Sequence, residues 1–138
     1  MLSISTKSLY GLKALLYLAE YRQQGVVRMR EIAVRQNIPQ NYLEQIFNQL
    51  GKANIIRSVR GKNGGYRLAG EPADILVKDI ILLLEGGIEL VSADHDPGEA
   101  IGATLQKAEE ALLQALSISL AELLALHLSN RDVMAFDI

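Results

Sequence analysis

Asn37-Ile38-Pro39-Gln40-Asn41-Tyr42-Leu43-Glu44-Gln45-Ile46-Phe47-Asn48-Gln49-Leu50 is the stretch that decides the fold. Tyr42, Leu43, Ile46, Phe47 and Leu50 recur at helical spacing and give one face to bury. The opposite face carries Gln40, Asn41, Glu44, Gln45, Asn48 and Gln49. Asn37 tolerates the left-handed conformation that ends a helix, and Pro39 is pre-set for the first helical position of the next. Before this turn, residues 28–36 read as a shorter helix burying Met29, Ile32 and Ala33. Two short helices joined by such a turn form a helix-turn-helix.

Downstream, Ile55, Ile56 and Val59 precede Gly61-Lys62-Asn63-Gly64-Gly65, and Tyr66 and Leu68 follow. Asn63-Gly64 between β-prone runs predicts a tight hairpin with positive φ at both residues. Arg57, Arg60, Lys62 and Arg67 make that hairpin basic. A cradle for a nucleotide phosphate is the other reading of its glycines, but Walker spacing is absent and no helix opens directly after it. A basic hairpin just after a helix-turn-helix reads better as a wing. Upstream, residues 5–21 predict a helix with Leu9, Leu12, Leu15, Leu16 and Ala19 as its stripe, Ser5 or Thr6 as N-cap and Gly25 beyond its end.

The C-terminal half has another pattern. In residues 100–116, Ile101, Leu105, Ala108, Leu112 and Ala115 follow the alternating spacing of a coiled-coil seam, so this helix is expected to join two copies of the chain. Packing on its own domain is the alternative. Ser119-x-x-Glu122 is a capping-box pattern that opens a last helix over residues 120–128. There Leu123, Leu124 and Leu126 are expected to close the core or the dimer, with His127 a core or interface histidine.

Composition bounds the function. The 138 residues are 49% hydrophobic and 22% charged, which suits one folded domain, 1–138, and excludes a disordered tail. With no cysteine, thiolate nucleophiles, disulfides and cysteine-ligated metals are impossible, and two histidines starve most triads and histidine metal sites. The start, Met1-Leu2-Ser3-Ile4, lacks a signal peptide's apolar run. The most apolar long window, residues 111–128, is interrupted by Gln114, Ser117, Ser119, Glu122 and His127. No membrane contact is expected, and the cytoplasm is the default location. The net charge of −2 conceals a division: residues 1–70 hold eleven Lys or Arg against three acids, and residues 71–138 hold three against thirteen. A basic DNA-binding part, 1–70, followed by an acidic dimerisation and sensing part, 71–138, accounts for that split.

The expected architecture is thus mostly α with a small β-hairpin: a winged helix-turn-helix plus a long C-terminal dimerisation helix. A recognition helix lies in the major groove with its N-terminal side chains at base edges. Gln40, Asn41 and Gln45 offer paired donors and acceptors for adenine, and Glu44 can accept from cytosine. Arg57, Arg60 and Lys62 supply charge for phosphates or a narrow minor groove. Lys7 adds a phosphate contact.

The sequence also resembles a known family. Ser5-Thr6-Lys7-x-x-Tyr10-Gly11-Leu12-x-Ala14-Leu15, Glu31-Ile32-Ala33, Tyr42-Leu43-Glu44-Gln45-Ile46 and Ser58-Val59-Arg60-Gly61-x-x-Gly64-Gly65-Tyr66 occur in the order found in the Rrf-two (IscR-like) family of bacterial winged-helix transcription regulators. Asp79-Ile80-Ile81 and Leu84-Glu85-Gly86 match its next helix, although Leu76 stands where a serine or threonine cap is common. The resemblance implies a homodimeric repressor or activator on a palindromic double-stranded operator, and a repressor is the expectation here. It places major-groove reading and minor-groove contact on Gln40, Asn41, Tyr42, Glu44, Gln45, Arg60, Lys62 and Asn63.

Residues 87–104 depart from that family. Several members hold an iron–sulfur cluster there on three cysteines, and this chain has none. It resembles the cysteine-free branch, in which a regulatory protein or a small-molecule effector supplies the signal, and no cofactor is expected. Asp94, His95 and Asp96 are legitimate metal ligands, but such a stretch is more often a solvated turn. Two rivals complete the set: a winged-helix module that binds a partner protein or RNA instead of an operator, and an enzyme, for which no nucleophile, nucleotide or metal motif is present.

Overall fold

Ser5 opens the first helix. Its Oγ accepts from the Ser8 N–H (3.3 Å), and α1 runs Thr6–Glu20. The structure, a computed structural model, describes residues 1–136. The buried face of α1 is Ser8, Gly11, Ala14, Leu15 and Leu18, with Tyr17 and Ala19 beside it. Leu9, expected in the stripe, is 50% exposed. Small residues shift the face, because Gly11 lets the next layer approach: a Cβ there would lie 2.4 Å from the Leu84 Cδ1.

Helices α2 (Met29–Gln36) and α3 (Gln40–Lys52) form the helix-turn-helix. Asn37 takes the left-handed conformation (φ 54°, ψ 51°), and the Ile38 N–H then donates to the Ala33 carbonyl at 2.9 Å. Pro39 stands one position earlier than expected, outside α3 as its N-cap. Its carbonyl accepts from the Tyr42 and Leu43 N–H groups (3.1 and 3.0 Å).

The hairpin pairs β1 (Ile56–Val59) with β2 (Gly65–Leu68) antiparallel, in the register Ile56 to Leu68, Arg57 to Arg67, Ser58 to Tyr66 and Val59 to Gly65. The expected tight Asn-Gly turn is absent: neither Asn63 nor Gly64 has positive φ. Residues 60–64 connect the strands, with φ 117° at Gly61 and the Gly64 N–H on the Gly61 carbonyl (3.0 Å). Gly64 is required by space rather than by dihedral angle, since a Cβ would meet the Val59 carbonyl oxygen at 2.1 Å.

Beyond the wing, α4 spans Val77–Glu85, α5 Glu99–Ala115 and α6 Leu120–Phe136. No side chain caps α4 at Leu76. Its first N–H groups find tertiary acceptors instead: Val77 donates to Ile118 and Lys78 to Leu116, both at 2.9 Å, which fastens α4 to the α5–α6 turn. The capping box of α6 is formed in both directions, the Ser119 N–H on Glu122 Oε2 (3.1 Å) and the Glu122 N–H on Ser119 Oγ (3.0 Å). The helix continues well past residue 128. Leu123 and Leu124 pack on the core, while Leu126 is 55% exposed. His127 is not a core residue; it is exposed, with Nε2 3.9 Å from Glu20 Oε2, beside an Arg131–Glu20 ion pair at 2.8 Å.

One cluster unites these layers. Leu15, Leu18, Ile32, Leu43, Ile46 and Leu50 are buried together with Ile80, Leu84 and Leu120. Each such side chain stabilises the fold by about 1.5–3 kcal/mol. The acidic half therefore shares its core with the basic half.

Candidate nucleic-acid interface

Burial of Leu43, Ile46, Phe47 and Leu50 fixes the rotation of α3, and the rest of the helix follows from it. Gln40, Asn41, Glu44, Gln45 and Asn48 are exposed, and Gln49 is half-buried. Among the described residues, Gln40, Asn41, Glu44 and Gln45 make no side-chain hydrogen bond or ion pair, so their donors and acceptors are free for a ligand. Tyr42 is half-buried, its ring edge-on to Tyr10 with centroids 5.5 Å apart. That contact seats the start of α3 on α1. Lys7 lies one turn before Tyr10, on the same side of α1.

The wing stands beside α3. Phe47 and Tyr66 meet edge-on at 4.7 Å, joining helix to hairpin. Val27 adds a third strand segment: its N–H donates to the Tyr66 carbonyl (2.8 Å), and the Tyr66 N–H donates back (2.7 Å). Arg57, Arg60, Lys62 and Asn63 are all exposed. Between α3 and β1 runs an open cleft of about 490 Å³ whose lining includes Asn48, Lys52, Arg57 and Ser58.

Electrostatics set this face apart. From residue 45 to residue 70 there is no acid, while Lys52, Arg57, Arg60, Lys62 and Arg67 all fall there. The strand register puts Arg57 directly opposite Arg67, both exposed. Like charges at that separation repel, and among the described residues neither guanidinium has a carboxylate partner. An anion between them relieves the repulsion. Arg67 was visible in the sequence only as part of the wing's charge; its pairing needed the register.

Lys7 has a neighbour that the sequence did not reveal. Glu85, at the end of α4, accepts from the Ser5 N–H (2.8 Å) and the Ser8 Oγ–H (2.7 Å). Hydrogen bonding by Ser5 and Ser8, with the Lys7 charge nearby, holds its carboxyl below the usual range. The start of α1 is thereby pinned to α4.

Comparisons with known proteins give the family and the fold. The chain matches the Rrf2 family, described as iron-dependent transcriptional regulator, over residues 4–126. It belongs to the Rrf2 family. This is a family of helix-turn-helix DNA-binding transcription regulators and not of enzymes. Its relatives include the HTH-type transcriptional regulator CymR of Bacillus subtilis (strain 168), 39% identical over 100 residues, which are 71% of this chain and 72% of that protein. IscR of Vibrio atlanticus (strain LGP32) is 35% identical over 103 residues, 75% of this chain but 59% of that longer protein. The solved structure of CymR (YrzC), titled the global cysteine regulator of B. subtilis, superposes with a TM-score of 0.81 at 36% identity, covering 91% of this chain and 98% of that one.

The family description names iron, and iron–sulfur clusters are held by thiolates. This Rrf2 member has no cysteine, so a cysteine-ligated cluster does not fit it. Among the described residues, no three His, Asp or Glu side chains gather to hold a metal ion. Asp94, His95 and Asp96 lie exposed on a turn where the Gly98 N–H donates to Asp96 Oδ1 (2.9 Å). Nor, among the described residues, is any helix long and apolar enough to cross a membrane.

Helix α5 stands apart from the core in one respect. None of its residues is buried. Ile101 is 59% and Leu112 38% exposed; Ala108 and Ala115 are exposed, and Leu105 is half-buried.

Proposed function

We propose that this Rrf2 protein is a homodimeric repressor that binds a pseudo-palindromic double-stranded operator in the cytoplasm. The observation that carries the reading is one continuous face: the unpaired polar side of α3 beside an acid-free, cationic hairpin packed against it. Gln40, Asn41, Glu44 and Gln45 read base edges, and Tyr42 seats the helix that carries them. Arg57, Arg60, Lys62 and Asn63 engage the neighbouring backbone and minor groove, and Lys7 adds a phosphate contact. Residues 1–70 supply this face; residues 71–138 supply the seam between copies.

Dimerisation is supported by α5. Ile101, Leu105, Ala108, Leu112 and Ala115 line one side of a helix on which the described residues bury no side chain. Pairing through that side sets two recognition helices at a fixed separation. Adjacent major grooves on one side of the duplex lie roughly 34–36 Å apart. Without thiolates, the signal is a regulatory protein or a small effector, and it acts by favouring one separation of the helices over another.

Base reading and backbone contact are separable. In a comparison of duplexes enriched from a random pool, Glu44→Ala and Gln45→Ala shift the preferred sequence by about 1–3 kcal/mol per affected base pair. Arg60→Ala weakens all duplexes alike. Unchanged preference in both α3 variants would remove α3 as the reading element, and binding of a partner protein or RNA by the same face would then stand in its place.

A further inference from the structure

Val27 and Arg28 form the strap that ties the hairpin to the helix-turn-helix. Val27, 2% exposed, pairs with Tyr66 through two backbone hydrogen bonds, so β2 is flanked on both sides. A Cβ on Gly65 would meet the Val27 carbonyl oxygen at 2.6 Å, so the strap and the strand touch backbone to backbone. The next residue, Arg28, is the N-cap of α2 in extended conformation (φ −72°, ψ 142°), and its side chain caps nothing in its own helix. It reaches the wing tip instead, where Nη2 donates to the Lys62 carbonyl at 3.0 Å across 34 positions of sequence.

The tip needs such a tie. Arg60, Gly61, Lys62 and Asn63 are all exposed. The turn's internal bond is the one from the Gly64 N–H to the Gly61 carbonyl. Among the described residues, Arg28 makes the single side-chain hydrogen bond to residues 60–64. A bond this exposed contributes little to global stability. What it fixes is direction, because one end is anchored where α2 begins and the other at the residue that leads the wing.

We infer that Arg28 is a positioning residue of the DNA interface: by holding the Lys62 carbonyl it sets the wing tip relative to α3, and specific binding depends on that setting. The inference rests on the reading of the wing as a DNA contact. Without the tie, specific binding must again restrict the freedom that the tip regains. Nonspecific binding tolerates many tip positions and is weakened little.

The test compares the full chain with Arg28→Ala and Arg30→Ala. Arg30 is exposed on α2 and makes no side-chain hydrogen bond among the described residues, so its variant removes the same charge without the tie. Amide exchange at Gly64 accelerates several-fold in Arg28→Ala, with Tyr66 and the α3 amides unchanged. For the duplex that the wild-type protein enriches from a random pool, Arg28→Ala weakens binding several-fold, the most that loss of one exposed hydrogen bond allows. Its affinity for a scrambled duplex and its salt slope stay at the wild-type values, and Arg30→Ala keeps the wild-type preference.

Equal weakening on both duplexes with a shallower salt slope would make Arg28 a phosphate contact and overturn the inference. So would an equal fall in preference in Arg30→Ala, unchanged Gly64 exchange, or faster exchange with unaltered preference. If the wild-type protein itself shows no preference, the DNA reading of the wing fails. Gly64 exchange then still decides whether the tie exists.

Discussion

Glu85 shows how much one side chain does here. Its carboxylate satisfies the Ser5 N–H and the hydroxyl of Ser8, a residue with no exposed surface. Glu85→Ala leaves that buried hydroxyl unpaired and is expected to cost roughly 1–3 kcal/mol in denaturant unfolding. Because the folded-state carboxyl titrates below its ordinary 4.5, its contribution is full above that value and is lost as pH falls through the folded pKa. Acid unfolding of the Glu85 variant should therefore lack part of the wild-type dependence below about pH 4.5. Tyr17 has the opposite sign. Burial, then its hydrogen bond to Glu31 Oε2 (2.6 Å), push its hydroxyl from 10.0 up to about 12. The folded state keeps that proton longer than the unfolded one, so this stability is present below pH 10 and lost as pH rises toward about 12. Tyr17→Phe removes the step from an alkaline unfolding series. An unchanged slope would mean that another group carries it.

Among the elements, α3 was legible because its period is decided by large apolar residues alone, Leu43, Ile46, Phe47 and Leu50. The Asn37 turn was legible for its own reason, since few residues accept that conformation. In α1 the same method misplaced the stripe, because Ser8, Gly11 and Ala14 are buried by tight packing and carry no hydrophobic signal. The wing was legible as a hairpin but not in its turn, where Gly64 answers to a carbonyl oxygen and Gly61 supplies the dihedral. Pairings across long separations, Arg28 to Lys62 and Glu85 to Ser8, leave no periodic trace at all. Helix α5 is the clearest open end of the fold. Ile101→Asp with Leu112→Asp alters two exposed side chains, so the monomer keeps its core. Light scattering should show the wild-type chain as a dimer and the double variant as a monomer with unchanged helicity. A double variant that stays dimeric would put the seam elsewhere.

At the scale of the whole molecule, charge and packing divide the chain differently. The core runs through both halves, from Leu15 and Ile46 to Ile80 and Leu120. The charge does not: residues 45–70 carry five cations and no acid, and acids dominate after residue 70. On a polyanion this asymmetry orients the molecule as well as attracting it, since the acidic half is repelled. The central claim, that the α3–wing face binds an operator through base edges and phosphates together, is tested most directly by titrating the purified protein against its own upstream DNA and a scrambled duplex across a salt series. The expected result is a preference of about 10³ or more for the upstream duplex. The slope should be steep, and about 0.9 shallower for each phosphate that Arg57→Ala or Arg67→Ala no longer neutralises. Equal, weak binding to both duplexes, or a slope indifferent to both arginines, would contradict it.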